Sequence, residues 1–121
     1  MTTPAGFRRI ALKMPGTVEG AHTGHPDFRA GGRVFATLRP GGERGMIKLN
    51  PERQREFVRE NPAAFSPENG AWGRQGCTKV VLASIDEMLL AAAMTLAWKN
   101  ASEGPPRKAK RSARPMPQKL R

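Results

Sequence analysis

The chain has 121 residues, 38% hydrophobic and 26% charged, which is enough for one modest core and too little for two. Lys and Arg number 21 against 10 Asp and Glu, a formal net charge of +11, and the lone cysteine, Cys77, excludes an internal disulfide or a multi-cysteine metal centre. Met1 to Lys13 lacks the apolar run of a signal peptide and Met88 to Trp98 is far too short to span a bilayer, so a soluble cytoplasmic protein is expected.

Thr3-Pro4 reads as an N-cap followed by proline at the first helical position. Phe7, Ile10, Ala11 and Met14 then recur at helical spacing, with Arg8, Arg9 and Lys13 mostly off that stripe. Pro15-Gly16 ends the helix. Val18 to His22 is a weak strand candidate. Asp27 to Ala30 and Arg33 to Arg39 are stronger, and Gly31-Gly32 between them suits a two-residue hairpin turn. That turn predicts Phe28 opposite Phe35. Pro40-Gly41-Gly42 makes the next turn, and Met46 to Leu49 a fourth strand.

Asn50-Pro51 opens a second helix, with Glu52 favouring its dipole and Asn61-Pro62 halting it near Glu60. Phe57 and Val58 are its apolar content, so it should lie at the surface with one edge docked. Ala63 to Gly73 reads as a loop carrying Phe65, Pro67 and Trp72. Cys77 to Ala83 reads as a strand whose centre, Val80-Val81-Leu82, is buried on both faces. Ser84-Ile85-Asp86-Glu87 has the pattern of a capping box. It predicts a last helix from Ile85 to about Asn100, with Ile85, Met88, Leu89, Ala92, Leu96 and Trp98 as its apolar face.

The charge gathers at the C-terminal end. Residues 104–121 hold seven basic side chains and no acid, whereas residues 1–103 hold 14 basic and 10 acidic ones. With four prolines and almost nothing apolar, residues 104–121 are expected to form a disordered tail after a folded domain of residues 1–103. Such a tail attracts polyanions by counterion release without reading sequence, or serves only solubility. In the folded part, strands run between terminal helices. This predicts an α+β two-layer sandwich, an antiparallel sheet of about five strands with helices packed on one face.

Three segments form an ordered series: Ala11-Leu12-Lys13-Met14-Pro15-Gly16, Gly24-His25-Pro26-Asp27-Phe28-Arg29 and Gly31-Gly32-Arg33-Val34-Phe35-Ala36. Leu49-Asn50-Pro51-Glu52-Arg53 and Trp72-Gly73-Arg74, with Gly76 and Thr78, extend it. Each motif is weak alone, but the set, from about Ile10 to Asn100, resembles the MmcQ/YjbR family. Met14 stands where that family has leucine and Arg33 where it has lysine, and the basic tail lies outside the resemblance. The resemblance implies the fold of the bacterial frataxin homologue and a DNA-binding role with a "double wing", and it names no reaction. Iron binding of the frataxin kind does not carry over, because the first helix holds Arg8, Arg9 and Lys13 and no acid, whereas hard cations need carboxylates.

From Arg29 to Lys48 five basic residues, Arg29, Arg33, Arg39, Arg44 and Lys48, stand against one acid, Glu43. The strand Arg33 to Leu38 is apolar on both sides, Val34, Ala36 and Leu38 alternating with Phe35 and Thr37. One face should pack on helices. The other then presents a basic surface with an aromatic, suited to phosphate contact, or a merely solvated sheet face. Trp72 with Arg74 suits stacking on a base, or closing one end of the core; Trp98 suits packing. His22 and His25 lack a third and fourth metal ligand, so no metal or other cofactor is expected, and His25 better suits a turn hydrogen bond. Ser66, Ser84, Ser102 and Cys77 have no evident base and orienting group, so no catalytic residue is assigned. The segment Gly41-Gly42-Glu43-Arg44-Gly45 joins two strands, whereas phosphate loops run from strand to helix.

The expectation is a monomeric, non-enzymatic protein that binds nucleic acid, most simply DNA, weakly and with strong salt dependence. Contacts would come from Arg29, Arg33, Arg39, Arg44, Lys48 and Arg74, and from Arg107, Lys108, Lys110, Arg111 and Arg114 in the tail. The alternative is a small-ligand or protein-interaction module built on a cleft around His25, Phe28, Phe35 and Trp72.

Overall fold

The structure, a computed structural model, describes residues 1–22 and 25–103. Helix α1 (Pro4–Lys13) is capped by Thr3, whose Oγ1 accepts from the Gly6 amide at 3.0 Å. Phe7, Ile10 and Ala11 of the expected stripe are buried, and Met14 packs against the same core. Strands β1 (Val18–His22), β2 (His25–Ala30), β3 (Arg33–Leu38) and β4 (Arg44–Lys48) follow. Helix α2 (Pro51–Glu60) is capped by Asn50, whose Oδ1 accepts from the Arg53 amide at 2.8 Å. Then come β5 (Phe65–Pro67), α3 (Gly70–Arg74), β6 (Cys77–Val81), one 3-10 turn over Leu82–Ser84, and α4 (Glu87–Glu103).

The strands form one antiparallel sheet in the order β1-β2-β3-β4-β6-β5. The α+β sandwich is therefore as expected, with six strands rather than about five. The additional strand comes from residues 63–73, expected as loop, which supply both β5 and α3. Strand β5 is three residues long, ends in Pro67 and pairs only with β6. A stretch that short, with proline at the sheet edge, carries no readable alternation. Its Phe65 is buried and meets Phe57 of α2 at a ring-centroid distance of 5.2 Å. The docked edge of α2 also has a polar member: Gln54 Nε2 donates to the Cys77 carbonyl at 2.9 Å and to Thr78 Oγ1 at 3.3 Å.

Between β2 and β3, Gly31 and Gly32 have φ of +62° and +79°, as a type I′ turn requires. Ala30 pairs with Arg33 and Arg29 with Val34, but Phe28 then faces Ala36. The expected Phe28–Phe35 pairing is off by one residue, because a β-bulge at Phe35 inserts an extra residue into β3. Plain alternation would have put Phe35 and Leu38 on opposite faces. The bulge lets Phe35, Ala36 and Leu38 all be buried, and leaves Val34, Thr37 and Arg39 on the other side. This is why the strand reads as apolar on both sides.

Helix α4 begins two residues later than the capping box predicts. Asp86 is the cap, its Oδ1 accepting from the Leu89 amide at 2.7 Å, while Ser84 belongs to the 3-10 turn. The buried stripe is Leu90, Ala93, Met94, Ala97 and Ala101, and Met88 is 81% exposed. Residues 88–94 are all apolar, so sequence leaves the face open and packing against β3 and α1 selects it. Trp98 Nε1 donates to the Pro15 carbonyl at 2.8 Å, tying α4 to the end of α1. Val80 and Leu82 are buried but Val81 only half so, because burial on β6 is one-sided. Among the described residues no helix is long and apolar enough to cross a membrane.

Candidate functional site

Residues paired across neighbouring strands share a face of the sheet. Phe28, Ala36, Ile47 and Thr78 form one such row, fully buried beneath the long helices. The adjacent row is Asp27, Thr37, Met46, Lys79 and Ser66, and it looks the other way. That second face is the open one.

Five cations stand on it: Arg29 from β2, Arg39 just after β3, Arg44 and Lys48 from β4, and Lys79 from β6. Among the described residues two carboxylates answer them. Arg29 Nε and Nη2 donate to Asp27 Oδ1 and Oδ2 at 3.1 and 3.2 Å. Those bonds, and then the charge of Asp27, raise the Arg29 pKa. Arg39 Nη2 donates to Glu68 Oε2 at 2.6 Å. Arg44, Lys48 and Lys79 make no ion pair among the described residues.

Among the described residues, the cations of this face line two hollows. One, of about 500 Å³, lies between Arg39, Arg44, Glu68, Asn69 and Lys79. The other, of about 650 Å³, is lined by Arg29, Val34, Met46, Lys48, Trp72 and Cys77, and also by Arg33 and by Asn100 of α4. Trp72, on α3, is 67% exposed. What fixes α3 is backbone proximity. A Cβ on Gly73 would fall 1.8 Å from the Glu68 carbonyl oxygen, and one on Gly76, at φ +111°, 1.8 Å from that of Leu49. Only glycine fits at either position. Cys77 is buried, and desolvation raises its thiol pKa, with Lys48 pulling the other way. The thiol is therefore protonated at neutral pH.

Arg29, Arg39, Arg44 and Lys48 are thus brought to one face as expected, two of them already paired. Arg33 turns toward the end of α4, where its Nη1 donates to the Ala101 carbonyl at 3.3 Å. Arg74 ends α3 and lines neither hollow. Lys79 was not among the expected contacts; its place between buried Thr78 and Val80 is the alternation that marks an outward side chain. The cleft expected around His25, Phe28, Phe35 and Trp72 does not form. Phe28 and Phe35 are 0% exposed on the helix side, whereas Trp72 stands on the open side. The core needs both phenyl rings, so neither is left to line a surface. His25 opens β2 opposite His22 in β1. The tail cations Arg107, Lys108, Lys110, Arg111 and Arg114 lie outside the described residues. Among the described residues no group of three or more His, Cys, Asp or Glu could hold a metal ion.

A YjbR family model matches residues 12–100. The solved structure of the Deinococcus radiodurans protein DR2400, a DUF419-domain protein, superposes with a TM-score of 0.71 at 18% identity, covering 95% of this chain and 91% of that one. At that identity the likeness is one of fold. No curated protein matches the sequence. The family model spans nearly all of the described domain, from the end of α1 to the last turns of α4, and the chain belongs to the YjbR family.

Proposed function

We propose that this protein is a non-catalytic module that binds nucleic acid without reading its sequence, the phosphate backbone lying across the open face of the sheet. The observation that carries the proposal is the cluster Arg44, Lys48 and Lys79, three cations on adjacent strands with no carboxylate partner among the described residues. Arg44 and Lys48 are four residues apart on β4, roughly 13 Å, and Lys79 pairs with Met46 midway between them on a strand about 4.8 Å away. Phosphates meeting these groups release condensed counterions, and that release is the driving force for binding without sequence readout. Arg29 and Arg39 add further donors beside their carboxylates. A DNA-binding role is also what the family resemblance implies.

The test is a salt titration of affinity for duplex and single-stranded oligonucleotides with the full chain. Affinity should fall linearly on a log–log plot. The triple variant R44Q/K48Q/K79Q should reduce the slope by about 2 to 3. Removing residues 104–121, with their seven cations, should flatten it further. Absence of binding at low salt, or a slope untouched by the triple variant, overturns the proposal.

A further inference from the structure

We infer that the larger hollow on the open face receives one unpaired base, stacked on Trp72, so that the protein prefers single strands to duplex. The inference rests on the nucleic-acid reading above and specifies which form is bound. Tryptophan is highly buried on average, yet Trp72 leaves 67% of its surface in solvent. A ring that only closed the core would be covered. The helix carrying it is nevertheless held fast, because Gly73 and Gly76 let the backbone approach Glu68 and Leu49 at distances no other residue permits.

The hollow beside the ring has two kinds of wall. Val34, Met46 and the indole are apolar, and Cys77 adds a neutral thiol. Arg29 and Lys48 stand at the same hollow as cations. A nucleotide of a single strand matches both walls, since the faces of its base are apolar and its phosphate is anionic. A volume of about 650 Å³ lies in the range of pockets that hold a ligand the size of a nucleotide, base and phosphate together. Bases within a duplex are stacked on one another and cannot reach it. An aromatic platform with flanking cations is the general solution for single strands.

The test uses the full chain at one low salt concentration and three labelled probes: an oligothymidylate, an abasic deoxyribose-phosphate strand of equal length, and a duplex. Oligothymidylate should bind about tenfold more tightly than the abasic strand. W72A should remove that difference while leaving abasic and duplex affinities within about twofold, and W72F should keep most of it. Oligothymidylate should quench tryptophan emission in the native chain and much less in W72F. Equal affinity for the abasic and thymidylate strands, or an equal loss for all three probes in W72A, overturns the inference. In that event weaker duplex binding by K48Q would leave the polyanion reading standing, whereas failure of every probe to bind would remove both. An indole that serves a protein partner instead would show no dependence on bases.

Discussion

On one side of the sheet Phe28, Ala36, Ile47 and Thr78 lie fully buried beneath α1 and α4; on the other, at the alternate positions of β4 and β6, Arg44 reaches solvent and Lys48 and Lys79 are half-buried. The cations of α1 illustrate the contrast from the helix side. Arg8 pairs with Glu19 at 2.8 Å and Arg9 with Glu87, so their charge is spent locally. Arg44, Lys48 and Lys79 have no such neighbour among the described residues. On the proposed function, stability and nucleic-acid binding belong to opposite faces of the same sheet, and altering one should have little effect on the other.

The largest test of that separation is Phe28→Ala. Its ring is fully buried and lies 6.1 Å from the Phe7 ring, so truncation should cost about 3–5 kcal/mol in chemical denaturation. Under conditions where the variant remains folded, the salt dependence of binding should be unchanged. An order of magnitude smaller, Arg44→Gln, Lys48→Gln and Lys79→Gln should each move stability by less than about 0.5 kcal/mol. A loss above about 2 kcal/mol from any of them would mean that the open face is structural, and the contrast would fail. The smallest effect concerns Cys77, a buried group on the open side. Its raised pKa means that the folded chain holds the thiol proton more tightly than the unfolded chain does. That contribution to stability is complete below the ordinary thiol pKa and is lost as pH rises through the raised one. Alkylation of the native chain at mildly alkaline pH should therefore be slower than that of the denatured chain, and should accelerate only at higher pH.

Much of this architecture can be read from the residues. Thr3-Pro4 and Asn50-Pro51 announce α1 and α2 because a side-chain cap plus a proline is a local device, satisfied within four residues. Gly31-Gly32 announces its turn for the same reason. Features that depend on distant partners are hidden. Strand β5 exists because β6 offers an edge, and the buried side of α4 exists because β3 and α1 lie where they do. Within the candidate site, the clustering of Arg29, Arg39, Arg44 and Lys48 follows from strand positions close together in sequence. The diversion of Arg33 to the Ala101 carbonyl depends on a contact 68 residues away, and no local pattern encodes it.

The slip at Phe35 makes the two arms of its hairpin unequal in length, and the inequality is absorbed where it arises. A chain lacking Ala36 could pair Phe28 with Phe35 on an even ladder and leave Thr37 and Arg39 where they stand. A residue added between Thr37 and Arg39 has no such absorber. It would swing the guanidinium of Arg39 inward among hydrocarbon and break its bond to Glu68. Tolerance to insertion and deletion along this strand is therefore asymmetric, a matter of odd and even counting rather than of composition.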